Sequence, residues 1–143
     1  MGRILAIDFG TKRSGIAVTD PEQIIANGLV TIASGQLLVF LQSYMEDEVV
    51  DTIVLGYPMH NDDRKSGLDR QLKIVEKKIG QQFPKVRLER YDERFTSRMA
   101  LKTMIDAGIK KSCRRDKTLV DKISATIILQ SYMESIQNKD TAL

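Results

Sequence analysis

Three carboxylates, Asp8, Glu93 and Asp121, are the side chains in this sequence with the best claim to chemistry. Asp8 ends the apolar run Ile4-Leu5-Ala6-Ile7 and is followed at once by Phe9-Gly10-Thr11-Lys12-Arg13-Ser14-Gly15-Ile16-Ala17-Val18. That pattern reads as a buried strand, a glycine-bearing turn and a returning strand. A carboxylate beside such a core is costly unless it is paired, hydrogen-bonded or bound to a cation. A divalent metal, or a phosphate-bearing ligand that brings its own metal, answers that need. Glu93 follows the strand-like run Val86 to Tyr91 and the adjacent Asp92. Neighbours on a regular strand point to opposite faces, so Asp92 and Glu93 cannot both enter one site. Glu93 has the longer reach and is the choice, leaving Asp92 to cap a turn or pair with an arginine. Asp121 is expected in the first turn of the last helix, with the small Ser124 and Ala125 at the next-turn positions. Small residues there would let the helix approach the sheet and turn Asp121 toward the strand tips. The alternative for Asp121 alone is a favourable place at the positive end of a helix dipole.

Three carboxylates around one point repel each other, and bound cations make such an arrangement stable. Oxygen ligands without His or Cys suit Mg²⁺ or Mn²⁺. Two such ions about 4 Å apart can activate a water and stabilise the leaving oxygen in phosphodiester hydrolysis, so that no protein nucleophile is required. Basic residues accompany each acid in sequence. Lys12 and Arg13 flank the turn beside Asp8, Arg94 and Arg98 follow Glu93, and Lys110, Lys111, Arg114, Arg115 and Lys117 crowd the loop before Asp121. These groups are expected to converge on the site and neutralise phosphates. Solvated loop charges are the alternative for the cluster from Lys110 to Lys117. Asp20, Asp62 and Asp63 fall in loops and are expected to be solvated, as is the lone His60.

The elements that must position these groups follow from periodicity. Arg3 to Asp8 and Ser14 to Thr19 pair as a hairpin, Asp20-Pro21 breaks the pattern, and Ala26 to Ile32 completes a three-stranded meander. Leu37, Leu41, Tyr44 and Met45 mark a helix, and Thr52 to Leu55 an apolar strand ended by Gly56-Tyr57-Pro58. Leu68, Leu72, Val75 and Ile79 mark a second helix, expected to stop near Gly80 and Pro84. Val86 to Tyr91 is the fifth strand. Thr96 is a candidate cap for a short helix carrying Met99, Thr103 and Met104 and ending at Gly108. The last helix starts near Lys117 and runs through Ile123, Ile127, Ile128 and Tyr132. The order βββαβαβαα predicts an α/β fold, a five-stranded mixed sheet flanked by helices on both faces, with right-handed crossovers. Ligands in such sheets sit beyond the C-terminal ends of the parallel strands, where Asp8 and Glu93 both fall.

Composition sets the outer bounds. The 143 residues, 42% hydrophobic and 29% charged, fit a single folded domain spanning 1–143. Lys and Arg number 22 against 19 acids, a net charge of +3 that permits a polyanionic partner without demanding one. The single Cys113 allows neither an internal disulfide nor a zinc cluster of thiolates. The N-terminus lacks a signal-peptide layout, and no apolar run approaches the ~20 residues of a membrane span. The expected compartment is the cytoplasm, the expected state a monomer or weak homodimer, and no membrane partner is expected.

The segments Ala6 to Val18, Val54-Leu55-Gly56-Tyr57-Pro58-Met59, Asp92-Glu93-Arg94-Phe95-Thr96-Ser97 and Val120 to Gln130 resemble the YqgF family, also called RuvX. Four motifs in the right order over nearly the whole chain make the resemblance specific. It implies a ribonuclease H-like fold related to Holliday-junction resolvases and nucleolytic maturation of the 5′ end of pre-16S ribosomal RNA. The family's acidic positions fall on Asp8, Glu93 and Asp121, and Arg13 matches an arginine of its first motif, implying a phosphate-holding or metal-site role. Where many members carry a leucine-proline-leucine run and an Asp-Gly turn, this chain has Tyr57-Pro58-Met59 and Asp62-Asp63, so a different turn is expected there.

Three other functions compete. Asp8-Phe9-Gly10-Thr11 with Gly15 also looks like the first phosphate motif of actin-like ATPases and sugar kinases, but those need a second comparable domain that 143 residues do not provide. A non-catalytic nucleic-acid-binding adaptor would have lost its carboxylates, and all three are retained. A Holliday-junction-resolvase-like DNA endonuclease would use the same triad on branched DNA in place of structured RNA, and the motifs do not separate the two.

Overall fold

The computed structural model describes residues 2–57, 66–92 and 117–141. The chain opens with the meander β1 (Arg3–Phe9), β2 (Arg13–Thr19) and β3 (Ala26–Ala33). A single 3-10 turn at Ser34–Gln36 leads into α1 (Leu37–Asp47), followed by β4 (Val50–Tyr57), α2 (Ser66–Gln82), β5 (Arg87–Asp92) and the long α3 (Lys117–Thr141). The five strands form one sheet in the order β3-β2-β1-β4-β5. β1 is antiparallel to β2 and β2 to β3, whereas β1–β4 and β4–β5 are parallel. The expected mixed sheet is therefore present. The short helix expected from Thr96 to Gly108, and the polar loop after Pro58, lie outside the described residues.

The sheet is covered on both faces, which is why β1 and β4 read as nearly continuous apolar runs. Leu5, Ile7 and Phe9 of β1 join Ile16, Val18, Ile53 and Leu55 in a core closed by Leu37 and Leu41 of α1 and by Leu72 and Ile79 of α2. Ile4, Ala6, Ala17 and Val54 point the other way and pack on Ala125, Ile128, Leu129 and Tyr132 of α3. α2 passes Gly80 and ends at Gln82, between Gly80 and Pro84 as expected. An isolated glycine costs a helix about 1 kcal/mol relative to alanine, too little to end it here. Ile79 is buried on the sheet, and its carbonyl accepts the N–H of Phe83 at 2.9 Å beyond the helix end.

Two local arrangements shape the end of the sheet where β1, β4 and β5 finish. On the α2 face, Arg90 donates from Nε and Nη2 to the two carboxylate oxygens of Glu76 at 2.7 Å each, while its guanidinium lies 4.5 Å above the ring of Tyr57. Bidentate pairing and ring stacking tie β4 and β5 to α2. Burial first, then the neighbouring Glu76 carboxylate, pushes the Tyr57 phenol up to about 12. On the opposite face, α3 lies against the backbone of β2. A side chain at Gly15 would overlap the carbonyl of Asp121, and one at Gly28 of β3 would fall 2.8 Å from Cγ of Lys122. Glycine inside a strand marks such a close approach.

Two outcomes are expected. Gly15→Ala forces backbone against backbone and should destabilise the chain by about 1–3 kcal/mol in urea unfolding, whereas Gly28→Ala meets only a flexible lysine stem and should cost less. Equal effects would mean that α3 can shift away from β2 freely. For Tyr57, the unfolded phenol titrates near 10, so the stabilisation from keeping it protonated is complete below that pH. It should be lost as the pH rises toward about 12. Unfolding free energy measured across that window should fall more steeply for the native chain than for Tyr57→Phe.

Candidate functional site

Asp8 is the penultimate residue of β1 and pairs across the ladder with Gly15 of β2. By strand alternation it shares the face of Ile4 and Ala6, the face covered by α3. Phe9 points to the opposite core. Because Gly15 has no side chain, α3 descends onto this spot and brings Asp121 over the end of the β1–β2 hairpin. Ser124 and Ala125, fully buried one turn on, give the close packing that their size predicts. One expectation needs correction: the first turn of α3 contains no acid, and Asp121 sits in the second. The helix begins at Lys117, so a place at the dipole's positive end does not account for Asp121.

Arg13 opens β2, and its Nε donates to Oδ2 of Asp121 at 3.2 Å across 108 positions of sequence. The two side chains are 37% and 26% exposed. An ion pair so open to solvent contributes roughly 0–1 kcal/mol, so it directs the groups more than it holds the fold. The turn carrying Lys12 and Arg13 is pinned from two sides. Gly10 N–H donates to the carbonyl of Arg13 and Ser34 N–H to that of Lys12, each at 2.9 Å. The Ser34 hydroxyl donates to the Gly10 carbonyl at 2.6 Å and lies 2.8 Å from the Ser14 hydroxyl. With its own proton committed to Gly10, Ser34 accepts from Ser14. Lys12 is exposed at the tip of this braced turn.

The serine brace and Gly15 are site residues that sequence reasoning missed. Gly15, interrupting an otherwise apolar strand, was the available signal for close backbone approach. Nothing in residue spacing foretold the Ser14–Ser34 pairing, which depends on the β2–β3 ladder bringing Arg13 opposite Ala33. A further anchor comes from Thr31 of β3, whose hydroxyl donates to the Thr118 carbonyl at the start of α3.

Asp92 alternates with Leu88 and Arg90, which face α1 and α2, so its face of the sheet is opposite to that of Asp8 and Asp121. Tyr91 belongs with the α3 face, edge-on to Tyr132 with ring centroids 6.3 Å apart. Asp20 follows β2 at the other end of the sheet. Its carboxylate accepts the N–H groups of Ile25 at 2.7 Å, Ile24 at 2.8 Å and Glu22 at 3.1 Å. Those bonds, that of Ile25 foremost, hold the Asp20 carboxyl below its ordinary value. Asp20 is thus a loop cap remote from Asp8. Lys117 opens α3. Glu93, Arg94, Arg98, Lys110, Lys111, Arg114 and Arg115 lie outside the described residues, as do His60, Asp62 and Asp63.

Among the described residues no three His, Cys, Asp or Glu side chains gather into a metal-binding group. The donors that are placed nevertheless have the chemistry for a hard divalent ion. Asp8 and Asp121 offer carboxylate oxygens only, from one strand end and one helix lying on the same face of the sheet. Among the described residues no helix is long and apolar enough to cross a membrane.

Comparison with known proteins identifies the family and the fold. The profile of the RuvX family, described as Holliday junction resolvase, matches residues 2–135. A protein of Christiangramia forsetii named "Putative pre-16S rRNA nuclease" is 49% identical over 133 residues, covering 93% of this chain and 98% of that protein. One of the same name from Phocaeicola vulgatus is 50% identical over 135 residues, covering 94% and 97%. Among solved structures, Thermus thermophilus RuvC in complex with a Holliday junction substrate superposes with a TM-score of 0.60 at 12% identity, covering 96% of this chain and 97% of that one. Fowlpox virus resolvase with its junction DNA gives 0.53 at 15% identity, covering 94% and 98%. Resolvases of this kind share the ribonuclease H-like fold, and this chain has it. The chain belongs to the RuvX family.

Proposed function

We propose that this protein is a divalent-metal-dependent nuclease that hydrolyses phosphodiester bonds of structured RNA, acting at the 5′ end of pre-16S ribosomal RNA. The observation that carries the nuclease reading is the convergence of Asp121 with the Asp8 end of the β1–β2 hairpin, on the one face where Arg13 also lies. Asp8, Asp121 and Glu93 would hold Mg²⁺ or Mn²⁺. Glu93 is two positions beyond Tyr91, which belongs to the α3 face, and the parity of Asp92 sets that residue aside. When bound, the metal supplies the charge that activates water and steadies the leaving oxygen. The chain's own part is to set Asp8 on a packed strand and Asp121 on a packed helix and to present Lys12 and Arg13 from a braced turn to substrate phosphates. Arg94, Arg98, Lys110, Lys111, Arg114, Arg115 and Lys117 extend that phosphate-binding surface in this reading.

The choice of RNA rests on the relatives at 49% and 50% identity, whose shared name specifies pre-16S rRNA. Junction DNA is the second reading, favoured by the resolvase complexes that superpose on this chain. At 12% and 15% identity those complexes speak for the fold and not for the substrate. Side-by-side cleavage of precursor ribosomal RNA and of four-way DNA junctions separates the two. Cleavage confined to the precursor is expected, and cleavage of junctions alone would reverse the assignment.

Asp8→Asn, Glu93→Gln and Asp121→Asn should each abolish hydrolysis while leaving the circular dichroism spectrum and cooperative unfolding intact. Native activity should vanish in EDTA and return with Mn²⁺. Full activity in Asp8→Asn would contradict the metal-dependent mechanism. Neutralising Arg114 and Arg115 together should weaken RNA binding and flatten its logarithmic salt dependence by roughly two units of slope. An unchanged slope would place that loop away from the substrate.

A further inference from the structure

We propose that Arg13 and the divalent ion compete for the same carboxylate of Asp121, so that ion binding hands the guanidinium over to a substrate phosphate. The inference rests on the metal-dependent reading above and adds to it a coupling between metal and nucleic acid. Both backbones in the pair are fixed. Asp121 is held where its carbonyl abuts Gly15, and Arg13 is set in the β2–β3 ladder opposite Ala33 with its carbonyl engaged by Gly10. The exchangeable part is the side chain of Arg13, whose guanidinium meets the Asp121 carboxylate through Nε. Toward Asp121 the pair is a single-point contact and not the bidentate fork that Arg90 forms with Glu76. Such a contact is easily exchanged.

A divalent ion must approach a carboxylate oxygen to about 2.0–2.1 Å for Mg²⁺, and Oδ2 of Asp121 already has a guanidinium nitrogen 3.2 Å away. Two cations sharing one carboxylate oxygen repel each other, on the modest scale of a solvent-open ion pair. The ion therefore displaces the guanidinium, whose planar fork is suited to phosphate and whose turn-mate Lys12 already faces solvent. Linkage then requires reciprocity: nucleic acid that captures Arg13 clears Asp121 and tightens the ion, and the ion tightens nucleic acid by the same factor.

The first test is Mn²⁺ titration of the nucleic-acid-free protein, read by electron paramagnetic resonance. Arg13→Gln should tighten Mn²⁺ by about two- to fivefold, the scale of an exposed ion pair. Unchanged or weaker binding in Arg13→Gln, with the native chain binding normally, overturns the competition and leaves the metal-dependent reading standing. No Mn²⁺ binding by the native chain would remove both. The second test measures a fluorescent hairpin RNA in EDTA with Asp121→Asn and Asp8→Asn. Each variant removes one negative charge, but Asp121→Asn removes the carboxylate that accepts from Nε of Arg13. It should therefore gain more RNA affinity than Asp8→Asn, and the excess should disappear when Arg13→Gln is added. Equal gains in the two single variants would overturn the proposal.

Discussion

The contact between α3 and β2 at Gly15 governs the geometry of this molecule. A helix normally stands off a sheet by the thickness of two layers of side chains. Here the sheet contributes none at Gly15, and the helix carbonyl of Asp121 occupies the space a methyl group would need. Ser124 and Ala125 keep the helix low along the following turn, and Ile128, Leu129 and Tyr132 anchor it beyond. The Thr31 hydroxyl ties the start of the helix to β3. The backbone of Asp121, from late in the chain, is thereby held against Gly15, the ladder partner of Asp8.

The sheet also sorts its charges by face. At the end where the parallel strands finish, the α3 face carries Asp8 together with Asp121 and Arg13, whose mutual ion pair is open to solvent. The α2 face carries Arg90, Glu76 and Tyr57 in a bidentate and stacked cluster with its hydrogen-bonding capacity largely spent. The first arrangement suits exchange of ligands and the second suits rigidity. The tight cluster keeps β4 and β5 in register at the point where Asp92 leads into Glu93.

Most of the architecture was legible because apolar spacing in β1, β2, β4, α1 and α2 is regular and both sheet faces are covered. Strand limits moved by a residue or two: β4 extends from Val50 to Tyr57 because parallel neighbours on both sides continue its ladder past the apolar segment. The bulge at Leu29, where Ile16 pairs with Val30 but Ala17 with Gly28, was not legible. It reverses the alternation of β3 so that Gly28 and Thr31 can both serve α3. In the candidate site, Asp8 was singled out from its place at the end of an apolar run, and Asp121 from the small residues after it. α3 begins at Lys117 as expected, and four residues complete its first turn before Asp121, which therefore falls in the second. The Arg13–Asp121 pair and the Ser14–Ser34 brace arise from contacts distant in sequence, and residue spacing carries no trace of them.

The central claim is that Asp8 and Asp121 bind one divalent-metal centre. Anomalous diffraction from a crystal grown with Mn²⁺ tests it most directly. The account requires an anomalous peak within coordination distance of both carboxylates, on the α3 face of the sheet, with Glu93 as a further ligand. A peak bound elsewhere, or a fully ordered Arg13–Asp121 pair with Mn²⁺ present and no peak beside it, would contradict it.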